Sequence, residues 1–176
     1  MSSLKNKSIK KKEIKSVLKF LIINNLEVKI EDEIKGRFRN NYHKGIINLK
    51  YTVNHLSYQF LQFLKKHDLT EQQYNILRVL RGFRKEGPKS IGFLKERMLD
   101  KSSDVSRILD KLFDKALISR KEGAVDRRQK DVAITEKGLK LLSEMYEIEN
   151  QVDTFLKNLT ENEVIELNRL LDKIRE

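Results

Sequence analysis

The sequence predicts a mostly α protein with one β-hairpin set among its helices. Three observations lead there. Apolar residues recur at three- and four-residue spacings along most of the 176 residues, the mark of helices that bury one face. Glycine (7) and proline (1) are scarce, which suits long helices joined by short turns. The helical period is broken at residues 117–134, where two short runs flank a charged stretch, EGAVDRRQK.

From the N terminus, Ile14, Val17, Leu18 and Leu21 share one helical face with lysines on the other, so residues 9–23 can form a basic amphipathic helix. Three uses fit it: a solvated, partly disordered extension, an arm on DNA phosphates, or a membrane-surface helix. Residues 1–27 are read as this basic extension. From Ile46, the positions Ile46, Leu49, Val53, Leu56, Phe60 and Phe63 alternate spacings of three and four, a heptad seam. Val164, Leu167, Leu171 and Ile174 repeat the spacing near the chain end. Residues 28–68 and 138–176 are therefore expected to pack as one helical layer, with Ile46, Leu49, Val53, Val164, Leu167, Leu171 and Ile174 at a dimer interface.

Residues 69–137 lie between these helices. Thr70-Glu-Gln-Gln73 is a capping box that opens a helix reaching about Arg84, and Gly87-Pro88 stops it. Ser90 is placed to start a second helix over Ile91, Leu94 and Met98, and Ser102 or Ser103 to cap a third. The third has an apolar face of Val105, Ile108, Leu109, Leu112 and Ala116, while Ser103, Ser106, Arg107 and Asp110 point away from it. Strands are expected at 117–121 and 131–134. Thr135 then caps a long helix through Leu139, Leu142, Met145 and Val152, and Thr160 with Glu163 forms a second capping box for the last helix. Three short helices followed by a hairpin make a winged helix-turn-helix with a two-stranded β wing.

A ribbon beside such a third helix projects its tip toward a minor groove, where an arginine meets a narrow, strongly negative trough. Asp126 would repel phosphate, but it can hold Arg128 by charge-assisted hydrogen bonds and fix its direction. Taken alone, the tip also fits a solvated hairpin that merely carries charge.

The ordered motifs add to this. Leu69-Thr70, Gln73-Tyr74-x-Ile76-Leu77, Val105-Ser106-Arg107-x-Leu109-Asp110-x-Leu112, Leu117-Ile118-x-Arg120, Asp126-Arg127-Arg128 and Val132-x-Ile134-Thr135-x-x-Gly138 follow one another over 69–138. Their order resembles the multiple-antibiotic-resistance regulator (MarR) family of bacterial transcription factors, and the likeness extends over roughly 30–176. The resemblance implies a cytoplasmic regulator, most often a repressor, acting as a homodimer on a pseudo-palindromic operator in double-stranded DNA. By position it makes Ser102, Ser103, Asp104, Ser106 and Arg107 the groove-facing start of the recognition helix and Arg128 the wing arginine. By the same carry-over Asp126 becomes the partner of Arg128, and Arg127 and Lys130 become phosphate contacts. Serine hydroxyls and helix N-terminal N–H groups can take phosphates or base edges, and Arg107 can fork onto guanine or pair with Asp104 or Asp110. The family also implies a small aromatic or amphipathic effector in a cavity between dimer layer and winged domain, with Tyr51, His55 and Tyr58 as candidate lining. Ala116 departs from the pattern, since relatives often carry glycine there; a positive φ at alanine costs about 1 kcal/mol, so the helix end and wing angle are expected to shift.

Composition narrows the alternatives. The net charge is +11, but residues 1–24 hold seven lysines against Glu13, so over half of it lies in the extension. This leaves a rival reading, a winged-helix protein- or membrane-interaction module that works through the basic N-terminal helix. Without cysteine, disulfides, thiolate metal sites and thiol-based sensing are excluded. The run Phe20–Ile23 is too short to span a bilayer and lacks a cleavage site, so neither membrane insertion nor a signal peptide is expected. His55 and His67 would stand about 18 Å apart on one helix, too far to share a metal. No metal, cofactor or catalytic site is expected, because no phosphate-binding glycine loop, Ser/His/Asp order or carboxylate pair with a plausible cleft is found.

Overall fold

The computed structural model describes residues 29–122 and 130–176, so the expectations for residues 1–27 and for Asp126, Arg127 and Arg128 lie outside the described residues. The chain divides after Val53 into two compact units. In the first, α1 (Ile30–Ile34) ends at Lys35 in the left-handed region, and Glu31 pairs with Lys44 at 2.6 Å. α2 (Asn41–Lys65) begins there, with the Asn40 side chain accepting from the His43 N–H.

The second unit, Asn54–Glu176, holds the winged helix. α3 (Glu71–Gly82) opens on the expected capping box, with both the Thr70 and Gln73 bonds present. It stops at Gly82, slightly short of the expected end, and a single 3-10 turn covers Arg84–Glu86. α4 (Ile91–Glu96) is capped by Ser90, whose hydroxyl accepts from the Phe93 N–H. α5 (Val105–Asp114) follows, and then β2 (Ile118–Glu122) and β3 (Lys130–Ile134). The sheet is wider than expected, because β1 (Lys89–Ser90) pairs with β3 and gives three antiparallel strands in the order β1-β3-β2. A two-residue strand has no alternation to recognise in sequence; Gly87, at φ 85°, and Pro88 turn the chain into it.

α6 (Glu136–Glu144) is capped by Thr135 as expected, but the long helix does not run unbroken through Val152. It bends at Met145 and resumes as α7 (Tyr146–Asp153), followed by a 3-10 turn at Thr154–Leu156. Neither glycine nor proline marks the bend; Met145 is fully buried there, so core packing and not a local breaker accompanies it. α8 (Glu161–Ile174) opens on the Thr160–Glu163 capping box.

The core joins Leu64, Ile76, Leu77, Leu94, Leu109, Leu112, Ile118, Val132 and Leu142, all essentially inaccessible. It draws on every part of the winged helix, so the recognition-helix candidate α5 is held by burial of Val105, Leu109 and Leu112 on one face. Phe60 meets Tyr74 edge to face at 5.4 Å, and Phe63 stacks on Phe155 at 6.1 Å. α8, in contrast, buries no residue, and Ile165, Leu170 and Ile174 are exposed. No helix among the described residues is long and apolar enough to cross a membrane.

Candidate nucleic-acid interface

The start of α5 is built by two aspartates. Asp104, not Ser102 or Ser103, is the N-cap: its carboxylate accepts from the Arg107 N–H at 3.2 Å. The serines are diverted by Asp100, whose Oδ1 accepts both the Ser102 N–H (2.9 Å) and the Ser102 hydroxyl (2.6 Å). That turn takes Ser102 away from the helix end and leaves the next free carboxylate, Asp104, to satisfy the first-turn N–H. The hydroxyl and N–H of Ser102 also hold the Asp100 carboxyl below the usual carboxylate range.

Four of the five recognition-helix candidates therefore sit together at one exposed end, but with different freedom. Ser106 and Arg107 are exposed, and among the described residues no carboxylate lies within ion-pair distance of the Arg107 guanidinium. Asp104 is exposed but engaged as the cap, and Ser102 is bound to Asp100. Ser103 differs from expectation, since its Oγ is buried instead of facing out. Asp110, weighed as a partner of Arg107, instead pairs with Arg120 of β2 at 2.7 Å.

The far end of α5 is a joint. Ala116 does take the left-handed conformation, at φ 56°. The Leu117 N–H donates to Leu112 O (3.0 Å) and the Ala116 N–H to Phe113 O (2.8 Å), the paired bonds of a Schellman cap, with Leu112 and Leu117 both buried. The expected change of helix ending therefore does not occur. Thr135 locks the joint from the other side: its hydroxyl donates to Ala116 O (2.8 Å) and accepts from the Gly138 N–H (3.1 Å), while its own N–H reaches Leu117 O (3.1 Å). A Cβ on Gly138 would lie 2.4 Å from Leu117 O, so the threonine-to-glycine spacing has a steric cause. Lys115 adds an ion pair to Asp68 at 2.9 Å, tying the end of α5 to the end of α2, and the Lys137 ammonium donates to Lys115 O.

Within the wing, Lys130 opposes Glu122 in the β2–β3 register. The effector candidates Tyr51, His55 and Tyr58 differ in their local surroundings. His55 bonds Gln59 at 2.5 Å and lines a cleft of about 460 Å³ with Phe63, Phe155 and Lys157. Tyr58 is exposed and does not line that cleft, and Tyr51 lies in the first unit, where burial and the Glu33 carboxylate push its hydroxyl pKa up. Sequence reasoning missed Asp100 and the Arg120–Asp110 pair; the latter had one signal, an arginine two residues after Ile118, on the strand face that alternation gives to the core.

A capped helix with an exposed arginine, backed by an antiparallel ribbon, defines the winged helix-turn-helix class. Residues 69–130 match the model of the MarR family. The chain is 29% identical over 144 residues to the HTH-type transcriptional repressor IacR of Pseudomonas putida, covering 81% of each chain. It is likewise 29% identical to a MarR transcription factor from Planctomyces limnophilus, with a TM-score of 0.59 over 77% of this chain and 98% of that one. The MepR protein of a MepR–DNA complex from S. aureus shares the fold at 24% identity, with a TM-score of 0.67 over 78% of this chain and 97% of that one.

Proposed function

We propose that the protein is a sequence-specific double-stranded-DNA-binding transcriptional regulator, a repressor that acts as a homodimer on a pseudo-palindromic operator. The observation that carries this reading is α5 itself: a rigid, aspartate-capped helix of a MarR winged helix whose Ser106 and Arg107 face solvent, with no ion partner for Arg107 among the described residues. An arginine unspent on the protein can fork onto a guanine edge. Ser102, Ser103 and Asp104 shape the helix start, and Arg127, Arg128 and Lys130 serve the wing, with Asp126 orienting Arg128. Residues 69–137 read the DNA, and the helices of 28–68 and 138–176 supply the dimer layer through Ile46, Leu49, Val53, Val164, Leu167, Leu171 and Ile174. Exposure of Ile46 and Ile174 in the single chain supports that assignment. With two copies on one duplex face, half-sites fall about one helical turn apart. The cleft beside His55, with stacked phenylalanines and the Lys157 cation, suits a small aromatic acid as the releasing ligand.

Selection from a pool of random duplexes across a salt series tests this, using the full chain and a truncation lacking residues 1–24. Enrichment of one inverted repeat, kept by the truncation, is the expected result. Arg128→Ala should weaken binding to that repeat by about tenfold with little change in thermal stability. Salt-dependent binding with no enriched site, lost on truncation, would assign the interaction to the lysine-rich extension instead.

A further inference from the structure

We propose that Arg120 is a positioning residue which, through Asp110, sets the wing strands against the recognition helix and so determines how selectively the two read DNA together. The inference rests on the DNA-binding reading above. In the β2–β3 ladder Ile118 faces Ile134 and Arg120 faces Val132. Directly opposed residues point to the same side of an antiparallel pair, and Ile118 and Val132 are buried, so Arg120 occupies a core-side position where the alternation calls for an apolar residue. Its side chain is only 21% exposed. An arginine there is unfavourable unless its charge is met.

α5 meets it twice. Asp110 Oδ1 lies 2.7 Å from Arg120 Nη2, and the guanidinium stands over the Phe113 ring with its central carbon 5.4 Å from the centroid. An ion pair at one nitrogen and a ring contact at the central carbon of a planar group constrain its orientation as well as its distance. Arg120 Nε is buried with no hydrogen-bond partner among the described residues, so the pair is not fully satisfied and survives on these two contacts. Asp110 itself is 62% exposed and follows Arg107 by three residues on the same helix side. A carboxylate on a surface that meets phosphates opposes binding. Its place there is accounted for by what it holds: the strand that leads into the DRR stretch.

This arrangement gives the test a sign. If Asp110 is only a negative charge near DNA, Asp110→Asn should tighten binding to every duplex. If it positions Arg120, the same change should tighten or leave unchanged binding to a shuffled duplex, yet weaken binding to the inverted repeat selected by the wild-type protein. We expect the ratio of specific to shuffled affinity to fall about tenfold, the size of one lost base contact. Arg120→Lys should retain part of the ratio and Arg120→Gln little, and the Asp110→Asn/Arg120→Gln double variant should be no worse than the poorer single, because coupled residues are not additive. Circular-dichroism melts of the same samples separate misfolding from mispositioning; Arg120→Lys, which keeps the charge, carries the test if Arg120→Gln does not fold. Equal tightening toward both duplexes in Asp110→Asn would overturn the inference and leave the DNA-binding reading intact. A wild-type protein that selects no inverted repeat would overturn both.

Discussion

Ala116 shows how one residue can hold an unfavourable conformation. Its φ of 56° is forced by what lies on either side: Leu112 and Leu117 are buried together, and Thr135 grips the Ala116 carbonyl. The backbone bonds of the cap are all made, so the penalty is confined to the alanine Cβ. Ala116→Gly should therefore stabilise the protein by about 1 kcal/mol, read as a raised urea midpoint at unchanged slope. The sequence exposed the departure at this position but not its outcome, because local preference and tertiary packing pull in opposite directions there. Asp100 is the complementary case. Its carboxyl titrates below the ordinary range chiefly because the Ser102 hydroxyl and N–H donate to it. A depressed folded-state pKa contributes stability above the unfolded pKa and loses it as pH falls through the folded value. In Ser102→Ala the Asp100 side-chain resonance should titrate at higher pH in an NMR series; an unmoved curve would show that the hydroxyl is not the cause.

Helix starts were legible where a cap and its partner lie within one turn. Thr70, Thr135 and Thr160 each accept from the backbone N–H three residues on, as their patterns predict. The start of α5 was misread because two serines and an aspartate compete for the cap, and Asp100 decides the competition from outside the helix. β1 and the bend at Met145 were not legible, the first for its length and the second for lack of any breaker. The joint between α5, β2 and α6 depends on close approach at Gly138. Gly138→Ala forces its Cβ onto the Leu117 carbonyl, and overpacking of that kind costs about 1–3 kcal/mol. We expect a lowered melting temperature with the helical signal of the native state preserved before the transition.

As a whole the winged helix is a closed core, while α8 carries an apolar face with no buried residue. Val164, Leu167 and Leu171 are partly covered and Ile174 is 65% exposed, which the dimer reading explains as surface reserved for a second copy. Replacing Leu167 and Leu171 together with charged residues should dissociate or unfold the protein, and the stability of the unaltered chain should rise with its concentration. Sedimentation equilibrium checks the first and thermal melts at several protein concentrations the second; a folded, dimeric double variant would remove these residues from the interface.

The class of fold, the order of its helices, most of its caps and the two long strands could be read from the chain, because each depends on residues close together whose spacing repeats with the backbone period. The candidate recognition face was readable for the same reason, as the polar side of one amphipathic helix. Charge partners were not. Asp110 is a surface acid on a helical wheel, Arg120 an anomaly in a strand, and Lys115 one lysine among many, until packing brings helix against ribbon and the end of α5 against the end of α2. Long charged side chains have many partners within reach of an unfolded chain and no period that selects among them. Only burial of the apolar residues around them chooses which pair forms, and therefore which charged side chains are left exposed among the described residues.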